Sequence, residues 1–250
     1  AEEAPSPTNR IAVNNAGIKA WSAETFKLHL ERYFEGVGLI SAGVFRRDFQ
    51  NFFGARVVAA SPEFLALYGL DPLVYDEYDV STQYNIQGLV RMEGFEFSYK
   101  QALAFLPHWA RGVQVFANVN TLSASGENFG SFTGARVIPR SGSGGLSLSR
   151  EKFNLRVNWN YQSRQQRGLV AVARGIEAET YNWVAERLTF DLKGEYYLSK
   201  RFTLFFDLQN IQDEPLSVAE IAGPNTPDYA RTVSTLGVGS LWAFGVRAKF

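Results

Sequence analysis

The chain contains no cysteine, which excludes disulfides, thiolate metal sites and redox chemistry at sulfur. It also has no long apolar run. The two longest stretches free of charge, Gly112 to Gly126 and Thr232 to Val246, are interrupted by Gly, Asn or Ser and fall short of the roughly 20 apolar residues a spanning helix needs. Net charge is missing as well. The 25 basic and 25 acidic side chains cancel, so no global field attracts nucleic acid or another polyanion. Histidine is scarce: His29 and His108 are the only two, neither has a second ligand at metal spacing, and both are expected to be structural, with no metal and no cofactor. The opening AEEAPSPTNR lacks the basic start and apolar centre of a secretory signal, so the expectation is an N-terminus made by processing or truncation.

What the chain has in quantity is aromatic residues, with 20 Phe, 11 Tyr and 5 Trp making 14% of the total. They are spread along the whole length, and aromatic side chains favour strands and membrane interfaces. The stretch FNLRVNWNY places Phe153, Leu155, Val157, Trp159 and Tyr161 on one side of an extended chain and Asn154, Arg156, Asn158 and Asn160 on the other. The period of two predicts a strand with one wet face and one apolar face.

Nine such segments are predicted, roughly at 24–34, 39–50, 82–100, 112–123, 136–149, 152–163, 185–198, 201–211 and 234–250. Thus Phe26, Leu28, Leu30 and Phe34 oppose Lys27, His29 and Glu31, and Leu188, Phe190, Leu192, Tyr196 and Leu198 oppose Thr189, Asp191, Lys193, Glu195 and Tyr197. The connections alternate in length. EGVG, QALAFLPHWAR, REK and SKR are short or moderate, whereas those near 51–81, 124–135, 164–184 and 212–233 are long. A transmembrane barrel has this asymmetry, with short periplasmic turns and long outer loops; a soluble sandwich mixes lengths at both ends. About ten residues at ~3.3 Å each, tilted by ~45°, rise about 23 Å, close to the apolar band of an outer-membrane barrel. The expected fold class is therefore all-β: an antiparallel up-and-down transmembrane β-barrel. Because single-chain bacterial barrels have even strand numbers and bare edges aggregate, nine strands predict a partial barrel belonging to a larger one.

The C-terminal runs RFTLFFDLQNIQDEP and LGVGSLWAFGVRAKF resemble the last two strands of TonB-dependent outer-membrane receptors, an aromatic-rich strand ending in Asn, an aliphatic residue and Asp, then a closing strand ending on Phe. Asn210, Ile211 and Asp213 match the first element and Phe250 the second. The stretch IKAWSAETFKLHLERYFEGVGLISAGVFRRDFQNFF is similar to the family's descending strand, turn and ascending strand, with Ala20 where the family's Lys-Pro element has proline; NIQGLVRMEGFEFSYKQALAFLP resembles its Gly-rich strand leading to a Leu-Pro turn.

The resemblance implies that residues 1–250 form the C-terminal part of the barrel, about the last nine of 22 strands, with 1–23 leading into the first of them. The family's plug domain and TonB box have no counterpart here. It also implies a place in the Gram-negative outer membrane among its lipids. The implied function is uptake of a siderophore, carbohydrate or similar nutrient, energised by the TonB complex acting through the plug. The barrel-assembly machinery would read Trp242, Phe244, Val246 and Phe250.

Candidate sites follow from this architecture. The acidic-aromatic segment with Tyr75, Asp76, Glu77, Tyr78 and Asp79 is the first loop candidate for capture of an imported small molecule, with the loop from Pro215 to Arg231 beside it. Arg156, Asn158 and Asn160, together with Asp191, Lys193 and Glu195, are expected to line the lumen. Trp21, Trp109, Trp159, Trp183 and Trp242 are expected in interfacial girdles. SGSGG at Ser141 to Gly145 lacks the Lys-Ser/Thr of a phosphate loop and predicts a kinked or flexible strand. No nucleophile elbow or other triad context is present, so no catalytic residue and no enzyme is expected. Two other architectures fit parts of the pattern: a complete small pore or adhesin, which needs an even strand count or association with other copies to close the ring, and a soluble β-barrel or sandwich binding module, which needs the aromatic face buried in a core.

Overall fold

The computed structural model describes residues 10–34, 38–108, 111–126, 137–170, 176, 177 and 179–249. Among them the elements run β1 (Ile11–Val13), β2 (Ser22–Phe34), β3 (Gly38–Gln50), β4 (Phe53–Ala59), α1 (Pro62–Leu67), α2 (Pro72–Tyr75), β5 (Asp79–Asn85) and β6 (Val90–Ala102). They continue with β7 (Val113–Gly126), β8 (Arg140–Ser149), β9 (Phe153–Gln162), β10 (Gln165–Leu169), β11 (Tyr181–Val184), β12 (Arg187–Tyr197), β13 (Phe202–Gln209), β14 (Ser217–Ala222), β15 (Thr232–Leu236) and β16 (Leu241–Ala248). No helix among the described residues is long and apolar enough to cross a membrane.

Nine strands form one antiparallel sheet in the order β16-β13-β12-β9-β8-β7-β6-β3-β2. These correspond to the nine segments the alternation predicts, and each pairs with its nearest neighbour along the chain among the nine. The sheet does not close: among the described residues β2 and β16 each have one free edge. Short connections at 103–112, 150–152 and 198–201 lie at one end, and the long ones at 51–89, 127–139, 163–186 and 210–240 at the other.

The long connections are where structure departs from the sequence reading, because three of them carry strands of their own. β4 and β5 pair as a hairpin joined by β1 in parallel, and β10-β11-β14-β15 form a four-stranded sheet. The predicted strand 82–100 is two elements, separated at Ile86 to Leu89 with Gly88 at φ 95°. The predicted strand 234–250 is likewise interrupted before β16, with Gly239 at φ 74°. A period of two continues through such corners whenever a hairpin prolongs its parent strands, so alternation alone does not mark them.

The two helices at the tip of the β4–β5 hairpin have local causes. Ser61 caps α1 by accepting the Phe64 N–H at 3.2 Å, and Asp71 caps α2 by accepting the Leu73 N–H at 2.9 Å. Each cap precedes a proline at the first helical position, where its missing N–H costs nothing. Under this hairpin Phe49, Phe52, Ile86 and Val90 form a small buried cluster with Tyr84 and Met92 packed against it. Trp21 completes it edge-on, 5.5 Å from the Phe49 ring.

Candidate functional site

Register assigns every side chain of the large sheet to a face, since paired residues point the same way. Tyr161 pairs Leu188, Trp159 pairs Phe190, Val157 pairs Leu192 and Phe153 pairs Tyr196. The row continues through Leu192–Leu208 and Gly194–Phe206 to Phe206–Phe244 and Leu204–Val246. In the other direction Val157 meets Leu146, Val119 meets Phe97, Phe95 meets Val44 and Val44 meets Leu28. One face is thus apolar across all nine strands. The opposite face carries Lys27, Glu96, Asn118, Ser143, Arg156, Asn158, Asn160, Asp191, Lys193, Glu195, Asp207 and Arg247.

Burial reverses what water-soluble sheets show. Ser41, Ser147 and Thr189 on the polar face are buried, whereas Phe26, Leu146 and Phe244 on the apolar face are 65%, 54% and 69% exposed. Among the described residues the main element contacts run between hydrogen-bonded neighbours or between the two short helices, and none of them joins the apolar face to a second layer. Phe153, Trp159, Phe202 and Phe244, which a sandwich would bury, are all partly or fully exposed. An apolar face of this extent lies far above the patches that monomers in water carry and suits hydrocarbon.

Glycines on this sheet serve close packing. A Cβ on Gly144 would meet the Trp159 ring at 2.7 Å, and one on Gly194 would meet Phe206 at 2.3 Å. SGSGG is therefore an ordered part of β8 on which the Trp159 indole lies.

The lumen candidates stand where the alternation puts them. Arg156 is exposed beside Lys193, with which it pairs in register. Lys193 Nζ donates to Asp207 Oδ2 at 2.8 Å, and Arg247 Nη1 to Glu195 Oε1 at 3.1 Å. Asn154, Arg156, Lys193, Glu195, Asp207 and Arg247 line one shallow cleft of the polar face. Asn158 Oδ1 is buried and accepts no hydrogen bond among the described residues, and Asn160 pairs in register with Thr189. This face is a band of alternating charge, able to hold water or a polar partner.

The loop candidates separate into two groups. Tyr78 is buried, its carbonyl accepting the Ala60 N–H at 3.0 Å and its ring 5.4 Å from that of Tyr75. Asp79 lies in β5 with Arg10 at 3.8 Å. Tyr75, Tyr78 and Asp79 thereby hold the hairpin tip together, whereas Asp76 and Glu77 are exposed on its surface. At the tip the Glu63 carboxyl is held below the usual carboxylate range, chiefly by its own backbone N–H and then by the Ser61 hydroxyl.

Asn210, Ile211 and Asp213 form a polar knot at the long-loop end. Asn210 is buried at φ 53°, and its side-chain Nδ2 donates to Glu214 O at 2.8 Å and to Gly239 O at 3.2 Å. Its Oδ1 accepts the Glu214 N–H at 3.0 Å, and its backbone N–H donates to Asp191 Oδ1 at 2.9 Å. Gln212 imitates one further strand residue, accepting the Phe190 N–H at 2.9 Å and donating to Leu188 O. The motif thus ties the ends of β12 and β13 to the turn before β16.

Sequence reasoning did not find the cleft of about 910 Å³ between the upper ends of β3, β6 and β7 and the four-stranded loop sheet, where Arg46, Arg140, Gln166, Arg167 and Trp183 meet. Trp183 lies in β11 under the Arg164 guanidinium, 4.2 Å from its centre, while Arg164 Nε donates to Glu220 Oε2 at 2.7 Å. Trp21 belongs to the aromatic cluster described above. Trp159 and Trp242 do stand on the apolar face; Trp109 and Phe250 lie outside the described residues.

An antiparallel meander with a bare apolar face, a charged opposite face and long loops at one end defines the wall of an outer-membrane type of β-barrel. Residues 1–211 match the family described as TonB dependent receptor-like, beta-barrel, and the chain belongs to that family. The family is one of transport receptors of the Gram-negative outer membrane, not of enzymes. Among solved structures, a mutant of the ferric enterobactin receptor PfeA from Pseudomonas aeruginosa is similar at 18% identity and a TM-score of 0.60, over 94% of this chain and 32% of that one. The FrpB iron transporter from Neisseria meningitidis is similar at 13% identity and a TM-score of 0.59, over 98% and 34%. The copper transporter OprC is similar at 13% identity and a TM-score of 0.57, over 94% and 32%. The chain thus spans about a third of the length of these structures. No curated protein sequence matches it.

Proposed function

We propose that residues 1–250 are a contiguous part of the barrel wall, with its outer loops, of a TonB-dependent receptor in the Gram-negative outer membrane. Its function is uptake of a siderophore, carbohydrate or similar nutrient, driven by the TonB complex through a plug domain. The observation that carries the reading is the pair of unpaired edges on a sheet whose apolar face is exposed: β2 and β16 each offer a row of backbone donors and acceptors, which a bilayer does not tolerate unpaired. Further strands of the same barrel satisfy both edges. The iron and copper cargoes of the similar transporters fit capture at the long-loop end, where Asp76 and Glu77 are presented and the arginine-lined cleft opens. Arg156, Asn158 and Asn160 form the inner wall against plug and passing ligand. Trp242, Phe244 and Val246, in one row of β16, with Phe250, are the residues offered to the barrel-assembly machinery.

The test is uptake by the receptor that contains this chain, expressed in cells stripped of other receptors for a panel of ferric siderophores and carbohydrates. Accumulation of one of them, abolished by collapsing the proton-motive force, is the expected result. Equal uptake with and without that force would replace this reading by a passive pore.

A further inference from the structure

The short-turn end of the sheet is basic. Arg111, Lys152, Lys200, Arg201 and Lys249 are all exposed there, and none of them belongs to any of the ion pairs among the described residues. Glu151 is the one acid among the described residues of those turns. The turns touch one another in sequence, so these charges form a continuous rim. Arg150 Nη1 donates to His108 O at 3.2 Å, the Tyr197 N–H donates to Lys152 O at 2.8 Å, and the Lys249 N–H donates to Arg201 O at 2.9 Å. Elsewhere on the sheet five cations are paired with acids: Lys27 with Glu96, Lys193 with Asp207, Arg247 with Glu195, and Arg46 and Arg91 with Asp48. At the other end the loop of residues 57–90 is acidic, with Glu63, Asp71, Asp76, Glu77 and Asp79 and no basic side chain.

Apolar anchors accompany the rim. Tyr196, Leu198 and Phe202 are 46%, 56% and 46% exposed beside the last turn, and Phe105 is 75% exposed in the first of the three. Aromatic and aliphatic bodies with cationic heads just beyond them are the arrangement that seats at the boundary of hydrocarbon and headgroup. We infer that this rim is a docking surface for the phosphates of anionic glycerophospholipids in the leaflet that meets the short turns. The inference rests on the barrel-wall reading. Each cation near an anionic surface contributes about a fivefold preference, and five unpaired cations around one rim select phosphatidylglycerol over a zwitterionic lipid.

The test uses the receptor that contains this chain, reconstituted into vesicles of phosphatidylcholine mixed with phosphatidylglycerol. Protease protection reports insertion, and native mass spectrometry after gentle extraction reports the lipids retained. Retention of phosphatidylglycerol over phosphatidylcholine by at least about fivefold is expected, with a marked fall in that preference in Lys152→Gln/Lys200→Gln/Arg201→Gln, which leaves Arg111 and Lys249 in place. In the unaltered receptor the preference is also expected to fall when salt is raised to about 1 M, where charges are screened within about 3 Å. Equal retention of both lipids by the inserted receptor, or a preference indifferent to the triple substitution and to salt, overturns the inference and leaves the barrel wall standing. A receptor in which the strands of this chain are unprotected in either vesicle overturns the barrel-wall reading and this inference with it.

Discussion

Replacing Asn210 by alanine tests the physical account of the family motif at the end of β13. Its backbone is at φ 53°, a conformation that costs a side-chain-bearing residue about 1–2 kcal/mol and that asparagine tolerates better than alanine. Its side chain also makes three hydrogen bonds to backbone groups of Glu214 and Gly239, each contributing about 1 kcal/mol net. Asn210→Ala is therefore expected to destabilise the folded sheet by about 4 kcal/mol. Asn210→Gly loses the same bonds but relieves the backbone, so it is expected to cost about 1–2 kcal/mol less than alanine. The assay is urea unfolding of the detergent-solubilised receptor that contains this chain, with amide exchange followed at 188–192, 210–216 and 239–242. If alanine and glycine behave alike, or if neither changes exchange at 239–242, the knot does not fasten β16 and the reasoning fails.

Other perturbations have equally definite outcomes. A Cβ on Gly112, at φ 87°, would stand 2.2 Å from Ser149 O; Gly112→Ala should lower stability by at least about 2 kcal/mol. Gly69→Ala, at φ 66° in open space, should cost only about 1 kcal/mol, and comparison of the two unfolding midpoints checks the contact. Val90 is fully buried in the cluster beneath the β4–β5 hairpin, and Val90→Ala should cost about 2 kcal/mol, seen as faster proteolysis within 51–89. The folded Glu63 carboxyl lies below its unfolded value, so its support of α1 is present above the ordinary carboxylate range and lost as pH falls through the lowered one. NMR shifts of residues 62–68 should follow that loss, and Glu63→Gln should remove the pH dependence.

The parts of the fold legible in the chain are those governed by local spacing. Alternation in FNLRVNWNY placed Arg156, Asn158 and Asn160 on one face, and register with β8 and β12 keeps them there. The caps Ser61 and Asp71, each followed by a proline, act within three residues of themselves, so they too are local features of the chain. The loop-end architecture could not. Tyr78 and Asp76 look equivalent in DEYD, yet one is buried and the other exposed, because the β4–β5 register decides which side chain turns inward. Trp183 meets Arg164 and Glu220 only once β11 pairs with β14.

The sequence by itself determined the period, the nine long strands, the two chemically opposite faces and the alternation of short with long connections, since each follows from residues a few positions apart. Only the tertiary structure decided where the predicted strands 82–100 and 234–250 break, that the long loops carry strands, and that the basic turns join into one rim. Those features depend on pairings between segments tens of residues apart, whose cost in chain entropy and gain in hydrogen bonds no local spacing records.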